Sequence, residues 1–311
     1  MRIKRLLILT MALLFIVIVF NNFFFRIVKL NSDFTHRKYV VVNQFRYGPR
    51  LPITLLTLPF SGGQIYTELI KFEPFRIHLK SIERNDVIAF NYPGKVDLPI
   101  DKRPVKIGRV IALPGEDIYI RNTKVKINNK NLNEDIPLIY TYRVTCDSVD
   151  FPENLKEKYQ IRSVEFVSHP WVYDIIMSNS KSELLYREPQ ILHVRQIYKI
   201  PGKMNYTVYP YNNFFPWNED NLGPLLVPAK GMTIEFNFRN YYLYRDIIEI
   251  HEQNEVYIEG EKIMCNGRNI ENYTFKQDYY YVLNDNRASG KDSRYWGFIP
   301  KNHVVGKVIK Y

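Results

Sequence analysis

Cysteine is scarce and unclustered in this sequence. Cys146 and Cys265 are the only two among 311 residues. No C-x-x-C pair occurs, so zinc-binding or thioredoxin-like chemistry has no spacing to support it. One disulfide and two free thiols are both compatible with this count. The six histidines are isolated from one another. We therefore expect neither a metal site nor a cofactor.

The basic residues do not gather in a block. The formal net charge is +11, which would suit a nucleic-acid binder or a protein beside an anionic bilayer. Lysine and arginine are instead scattered singly, without zinc-finger spacing, an aromatic-basic RNA motif or a recognition-helix pattern. The charge therefore favours a lipid bilayer over nucleic acid as the partner.

Glycine is also scarce, with 14 residues, whereas tyrosine (24) and phenylalanine (19) are abundant. Aromatic side chains suit a pleated, half-buried surface, so the composition favours sheet over helical repeats. Strand-like runs separated by turn residues predict a mainly β fold. The predicted strands are 39–45, 86–92, 109–113, 117–120, 124–128, 232–238, 255–258, 279–283 and 304–311. One helix is predicted over residues 242–252.

Long hydrophobic runs are absent after residue 25. Before it, residues 6–25 are almost free of polar side chains and would form about 30 Å of helix, enough to cross the hydrocarbon layer. The basic residues at the start predict that residues 1–5 form a cytoplasmic tail. We expect an uncleaved, single-pass anchor in the inner (cytoplasmic) membrane, with the bulk of the chain on the periplasmic side. A cleavable secretory signal is the alternative, disfavoured because no small-x-small pattern follows.

The last third of the chain carries a specific motif. Residues 279–287 read Tyr-Tyr-Tyr-Val-Leu-Asn-Asp-Asn-Arg, and residues 292–297 read Asp-Ser-Arg-Tyr-Trp-Gly. Segments 47–52, 85–93 and 109–115 precede them in a consistent order. This series resembles the boxes of the type I signal peptidase family, including its Gly-Asp-Asn-Arg and Asp-Ser-Arg stretches.

The resemblance implies a domain arrangement. Residues 26–117 and 276–311 would form a core of antiparallel sheets of the signal peptidase type. Residues 118–275 would form an inserted β-rich domain, because the stretch around 217–228 is similar to the large insertion of family members from Bacteroidota.

The resemblance also implies a reaction. Members of the family cleave signal peptides with a serine nucleophile and a lysine general base, and burial keeps that lysine neutral so that it can accept the serine proton. An ungapped comparison places Lys29 at the nucleophile position, and Ser32 reaches it only through a gap. Gly108 stands at the base position. Lys106 is two residues earlier, about 6–7 Å along a strand, which exceeds hydrogen-bond reach.

The supporting groups depart from the family pattern as well. A serine that orients the base is replaced by Gly290, with Ser289 one place off, and Asn284 replaces the glycine that opens Gly-Asp-Asn-Arg. The scaffold positions that match are Arg109, Asp285, Arg287, Asp292 and Arg294. The family resemblance suggests an ion pair between Asp292 and Arg294, which would share a face of an extended segment.

These departures leave three hypotheses. The first is a catalytically silent, signal-peptidase-like membrane protein that binds signal peptides, other extended apolar peptides or a membrane-protein partner. The second is an active peptidase with Ser32 as the nucleophile and Lys106 or Lys29 as the base. The third is a structural subunit of an envelope complex.

Overall fold

The computed structural model describes residues 24–29, 39–51, 53–54, 72–94, 97–147 and 150–310. Of the predicted anchor, only Phe24 and Phe25 fall within these ranges. Phe25 begins a strand and Phe24 lies in a turn, so the last two residues of the predicted helix are not helical. Across the described ranges, no helix is both long and apolar enough to cross a membrane.

The described elements are mostly strands. In chain order they are β1 (Phe25–Lys29), β2 (Tyr39–Asn43), β3 (Val87–Asn91), β4 (Val105–Ala112), β5 (Asp117–Arg121), β6 (Lys124–Ile127), β7 (Lys130–Asn131), β8 (Ile139–Cys146), β9 (Ser163–Ser168), β10 (Val172–Ser178), β11 (Ile191–Gln196), β12 (Leu222–Leu226), β13 (Thr233–Glu235), β14 (Val256–Glu259), β15 (Lys262–Cys265), β16 (Arg268–Asn269), β17 (Asn272–Thr274), β18 (Tyr279–Leu283), β19 (Ile299–Pro300) and β20 (Val304–Lys310). The helices are α1 (Glu153–Lys158), α2 (Asn179–Leu185), α3 (Phe238–Ile250) and α4 (Ser293–Trp296). The prediction of a mainly β, antiparallel fold is confirmed.

The chain divides into two compact units. The first contains residues from 1–115, 227–282 and 296–311, and the second contains residues from 116–226 and 283–295. Residues 227–282 thus pack within the first unit. The predicted inserted domain at 118–275, with its family-type boundaries, stays a prediction.

The first unit is built on a seven-stranded sheet with the order β1-β2-β20-β3-β4-β18-β19. All five residues of β3 are buried, because apolar clusters cover both faces of the sheet. One cluster includes Val87, Ala89 and Ile107, and the other includes Ile88 and Phe90. Side chains alternate between faces along a strand, so neighbouring residues of β3 belong to different clusters.

Helix α3 starts four residues before the predicted helix. The side chain of Asn237 accepts a hydrogen bond from the Asn240 amide, which satisfies an otherwise unpaired donor of the first turn. This cap also ends the predicted strand 232–238 early, and β13 stops at Glu235.

The second unit contains two four-stranded sheets, with the orders β11-β8-β10-β9 and β12-β5-β6-β7. Its largest apolar cluster lies between the first of these sheets and helices α1 and α2, and includes Leu155, Ile175 and Leu185. Cys146 is buried in the same cluster. Both Cys146 and Cys265 are free thiols.

Candidate functional site

Strand β4 carries the position where the family resemblance expects a base. Lys106, Gly108 and Val110 share one face of this strand, because side chains two residues apart point the same way. The neighbouring strand β3 places Ile88 opposite Gly108 and Phe90 opposite Lys106. Val110, Ile88 and Phe90 belong to one apolar cluster. A side chain at residue 108 would therefore enter this cluster.

The space beside Gly108 is already filled. A Cβ atom at this residue would stand 2.9 Å from Cγ2 and 3.0 Å from Cβ of Val282 on strand β18, and 3.5 Å from Cε1 of Phe90. Contacts near 3 Å are too short for carbon atoms, so Val282 would have to move before any longer side chain fitted. The neighbouring side chains thus pack directly against Gly108 and leave no room for a side chain there.

Lys106 is half-buried at the start of the same face. No hydrogen bond or ion pair to its amine occurs within the described part of the chain. Arg109 points to the opposite face, where Nη1 donates a hydrogen bond to the Asn85 carbonyl at 2.9 Å. The predicted alternative base and the matching arginine therefore lie on different sides of the sheet.

The predicted nucleophile positions can be placed only in part. Lys29 is an exposed residue at the end of β1, paired with Tyr39 of β2. Ser32 lies outside the described residues. The structure therefore places Lys29, the residue at the ungapped family position, and the prediction for Ser32 stays a prediction.

The motif loop, residues 284–295, is held by a buried ion pair. The Arg294 guanidinium donates to Asp292 through Nε and Nη2, both at 2.9 Å, and the two side chains are 4% and 2% exposed. Asp292 also accepts a hydrogen bond from the Asn284 amide at 2.9 Å. The suggested ion pair is present. The segment is not extended as predicted, because Ser293–Trp296 form the short helix α4.

Arg294 also closes the loop on itself. Its Nη1 donates to the Arg287 carbonyl at 3.2 Å, and Nη2 donates to the Gly290 carbonyl at 3.3 Å. A planar guanidinium with five N–H donors can satisfy several such acceptors at once. The buried Arg294 guanidinium therefore links several residues of the loop and stabilises its conformation.

In this loop, the side chain of Asn284 fills the space that a side chain at residue 290 would need. A Cβ atom at residue 290 would lie 2.4 Å from Cγ of Asn284, 2.5 Å from its Cβ, and 2.4 Å from the carbonyl oxygen of Asn286. The Gly290 amide donates to that same carbonyl at 2.9 Å, and the Asn284 side chain accepts from the Asn286 amide at 2.9 Å. The position of the orienting serine therefore has no room for a side chain.

The remaining loop residues have structural partners. Ser289 is exposed, and its hydroxyl accepts a hydrogen bond from Nδ2 of Asn286 at 2.9 Å. The Asp285 carbonyl accepts from the Ile139 amide at 3.0 Å. Arg287 forms a buried ion pair with Glu134. These contacts fix the loop to strand β8 and to the turn before it.

Comparison with known proteins identifies the protein family of this chain. The family described as signal peptidase, peptidase S26, matches residues 2–168 and 245–311. The chain belongs to the signal peptidase family. The matched ranges contain both β4 and the motif loop, and residues 169–244 are left unmatched.

Curated relatives in the signal peptidase family agree with this match at low identity. Signal peptidase I of Buchnera aphidicola subsp. Schizaphis graminum is 21% identical over 278 residues, which cover 88% of this chain and 61% of the relative. Its counterpart from Buchnera aphidicola subsp. Baizongia pistaciae is 23% identical over 280 residues, covering 87% and 62%. Signal peptidase I of Aquifex aeolicus is 40% identical over a shorter stretch of 37 residues, covering 12% and 14%. The chain thus spans about three fifths of the length of the two Buchnera relatives.

Sequence comparison with the signal peptidase family missed two residues that shape the site. Val282 fills the space beside Gly108, and Glu134 neutralises Arg287. Val282 could have been suspected, because it belongs to the apolar run that enters the motif. Glu134 carries no motif signal, since it lies 153 residues from its partner. Within the described ranges, no group of three or more metal-binding side chains occurs.

An open cavity of about 500 Å³ lies in the span that the signal peptidase family does not match. It is lined by Tyr198, Lys199, Ile200, Lys203, Met204, Asn205 and Tyr206. None of these residues belongs to the family motifs, so the cavity carries no argument about the family reaction.

Proposed function

We propose that this member of the signal peptidase family has lost peptide-bond cleavage and retains the binding of signal peptides or other extended apolar peptides. The observation that carries the proposal is the filled space at Gly108 and Gly290. At both positions, the side chain that the family reaction needs is missing, and neighbouring atoms occupy its volume.

The base position supports this proposal through its packing. A lysine general base must present a neutral amine to the nucleophile, which a protein achieves by burying the amine among apolar groups. The apolar surroundings are present around Gly108, but Val282 fills them. The apolar surroundings that would lower the pKa of a lysine amine are here part of the packed hydrophobic core.

The loop supports the proposal through its hydrogen bonds. A serine at residue 290 would meet both a side chain and a backbone carbonyl. The Asn284 and Asn286 contacts that fill this place also hold the turn together. The loop is therefore stable in a form that has no orienting hydroxyl at this position.

Binding an extended peptide does not require the catalytic side chains. An extended peptide is held by main-chain hydrogen bonds to a strand and by pockets for alternate side chains, and neither requires a serine or a lysine. A peptide of this kind adds at the edge of a sheet, and the seven-stranded sheet ends in strands β1 and β19. We further propose that residues 6–25 anchor the chain in the inner membrane, with the bulk on the periplasmic side, next to apolar export signals.

The test uses the purified full chain in detergent with a preprotein carrying a photocrosslinker in its signal peptide. We expect crosslinking without cleavage, and the same result for Ser32→Ala. An active signal peptidase I, assayed alongside, controls for the preprotein. Cleavage that disappears in Ser32→Ala would overturn the proposal. Absence of both cleavage and crosslinking would favour a structural subunit of an envelope complex.

One observation favours a second candidate, an active peptidase with a relocated dyad. Lys106 is half-buried on the same face as Gly108, and its amine has no hydrogen-bond or ion-pair partner among the described residues. Its amine would have to span about 6.6 Å along the strand to replace a base at residue 108. Cleavage lost in both Ser32→Ala and Lys106→Met, but kept in Lys29→Met, would establish this alternative.

A further inference from the structure

Two arginines face each other where two backbone segments of the first unit pair. The Leu51 amide donates to the Phe75 carbonyl at 3.0 Å, and the Ile77 amide donates to the Pro49 carbonyl at 3.3 Å. Between these bonds, Arg50 and Arg76 form an antiparallel bridge. Residues directly opposite in such a pair project to the same side, so the two guanidinium groups lie on one face.

Both guanidinium groups bind neutral acceptors. Arg50 donates through Nη1 to the Asn302 carbonyl at 3.1 Å, and through Nη2 to Oδ1 of Asn91 at 2.9 Å. Arg76 donates through Nη2 to the carbonyls of Val304 and Val305. Backbone and amide oxygens orient the two cations without neutralising them.

A third arginine approaches from the edge of the sheet. Arg26, on β1, is half-buried, and its charge acts on Arg50. Burial is the largest cause that lowers the pKa of Arg26, and Asp101 opposes it. Burial lowers the pKa of Arg50 to about 9, and the neighbouring Arg76 and Arg26 add to this effect. Among the described residues, Asp101 is the one carboxylate that acts on these cations.

The nearby carboxylate is already engaged. Oδ2 of Asp101 accepts hydrogen bonds from the Thr54 amide at 3.1 Å and from the Thr54 hydroxyl at 2.8 Å. Lys102 lies 3.8 Å from the same oxygen. Asp101 acts on both Arg26 and Arg50. Asp101 alone, among the described carboxylates, does not balance three arginines, and an unpaired buried charge is unfavourable in general.

The hydrogen bonds described above use only some of the N–H donors of these arginines. Each guanidinium carries five N–H groups, and the bonds above use two nitrogens of Arg50 and one of Arg76. No hydrogen bond from Arg26 to another residue is found within the described ranges. Arg26, Arg50 and Arg76 are each half-buried rather than fully buried, so part of each residue remains exposed.

We propose that Arg26, Arg50 and Arg76 form a binding site for a phosphate group, carried either by a phospholipid or by a free phosphate compound. The fork of a guanidinium matches two oxygens of a tetrahedral oxyanion, and several arginines together can bind one phosphate from different sides. Its residues are different from Gly108 and from those of the motif loop. It does not depend on whether the chain cleaves peptides.

The experiment measures thermal unfolding of the full chain in detergent, at constant ionic strength, with three probes. These are inorganic phosphate, glycerol phosphate, and a short-chain phosphatidylglycerol, each compared with a chloride control. A ligand at about ten times its Kd should raise the Tm by about 2–5 °C. A rise with all three probes identifies a free phosphate site, and a rise with the lipid alone identifies a headgroup site.

Variants decide whether the arginines are responsible. Arg50→Gln and Arg76→Gln should each remove the rise in Tm, while Arg195→Gln, which removes an exposed charge on β11, should keep it. Direct titration of each probe by calorimetry gives the same comparison if a variant lowers the Tm by itself. A rise that persists equally in all variants, or no rise with any probe, would overturn the proposal.

Discussion

Gly108 and Gly290, which the family resemblance aligns with a lysine base and an orienting serine, are surrounded in different ways. At Gly108 the three nearest atoms to an added Cβ all belong to side chains, those of Val282 and Phe90. At Gly290 one of the nearest atoms is a backbone carbonyl, that of Asn286, at 2.4 Å. Side chains can change rotamer, whereas a carbonyl in a hydrogen-bonded turn moves only with the turn.

The comparison separates two kinds of packing. Gly108 lies in a packed sheet, which tolerates small changes of volume at moderate cost. Gly290 lies in a polar turn, where one change disturbs several hydrogen bonds. We therefore expect the motif loop to respond more strongly to substitution than strand β4.

The largest effect is expected from the ion pair that holds the loop. Asp292→Asn leaves the guanidinium of Arg294 buried and without its charge partner, which should lower the free energy of unfolding by about 3–5 kcal/mol. Urea denaturation followed by tryptophan fluorescence measures the change. Asp135→Asn, an exposed site of the same unit, should change stability by less than about 0.5 kcal/mol. Equal losses in both variants would contradict the role given to the pair.

Restoring the family serine should cost nearly as much. Gly290→Ser places a Cβ against Asn284 and the Asn286 carbonyl, so we expect a loss of about 2–3 kcal/mol. Adding Asn284→Gly should recover part of this loss, because the side-chain clash is removed and the carbonyl clash remains. A double-mutant cycle should give a coupling above about 0.5 kcal/mol. Simple additivity of the two substitutions would show that they do not share space.

Acid should destabilise the first unit through two histidines, the buried His303 and the half-buried His251. His251 and His303 lie with ring centroids 5.0 Å apart, and Nδ1 of His303 donates to the Asn91 carbonyl at 2.9 Å. Burial lowers the pKa of His251 to about 3, and burial followed by the neighbouring His251 lowers the pKa of His303.

Both histidines are therefore neutral in the folded state while the unfolded chain takes up protons below about pH 6.5. The unfolded state binds more protons between that pH and the folded pKa, so stability falls as the pH decreases from about 6.5 towards 3. Each histidine contributes up to about 1.4 kcal/mol per pH unit. His251→Gln should flatten the pH dependence of the unfolding free energy. An unchanged slope would mean that His251 is accessible to protons in the folded state.

The smallest effect is expected on strand β4. Gly108→Ala adds one methyl group against Val282, which should cost about 1 kcal/mol. The cost should shrink in a Val282→Ala background, because the methyl group then occupies the space left by the valine. Thermal unfolding of the four variants tests this. A larger loss of stability for Gly108→Ala than for Gly290→Ser would contradict the expectation that the motif loop is more sensitive to substitution than strand β4.

Much of the sheet could be predicted from the sequence. The apolar runs near residues 39, 87, 109 and 279 form strands of the seven-stranded sheet, because each run is apolar enough to be buried from one or both faces. The four strands β8 to β11 were not predicted, since residues 139–196 mix polar, aromatic and charged residues without a clear period of two. Their hydrophobic face becomes visible only where β8 pairs with β10 and β11.

The packing of the candidate site could not be predicted from the sequence. The motif resemblance predicts that Gly108, Asn284 and Gly290 replace family residues, and this stays a prediction. It could not show that Asn284 occupies the space beside Gly290, because this depends on a turn that brings residues six apart together. The extended geometry predicted for Asp292 and Arg294 was wrong because Ser293–Trp296 form a helical turn, which still leaves the two side chains in contact.

The burial of the Asp292–Arg294 pair has a consequence for ionic conditions. Dissolved ions screen charges that face water over about 8 Å at physiological ionic strength, but they act much less on a pair enclosed by protein. Concentrated salt should therefore weaken the exposed contact between Lys158 and Glu188 while the turn around Arg294 keeps its form. The loop that carries the family motif thus contains an ion pair that salt should weaken less than the exposed contact between Lys158 and Glu188.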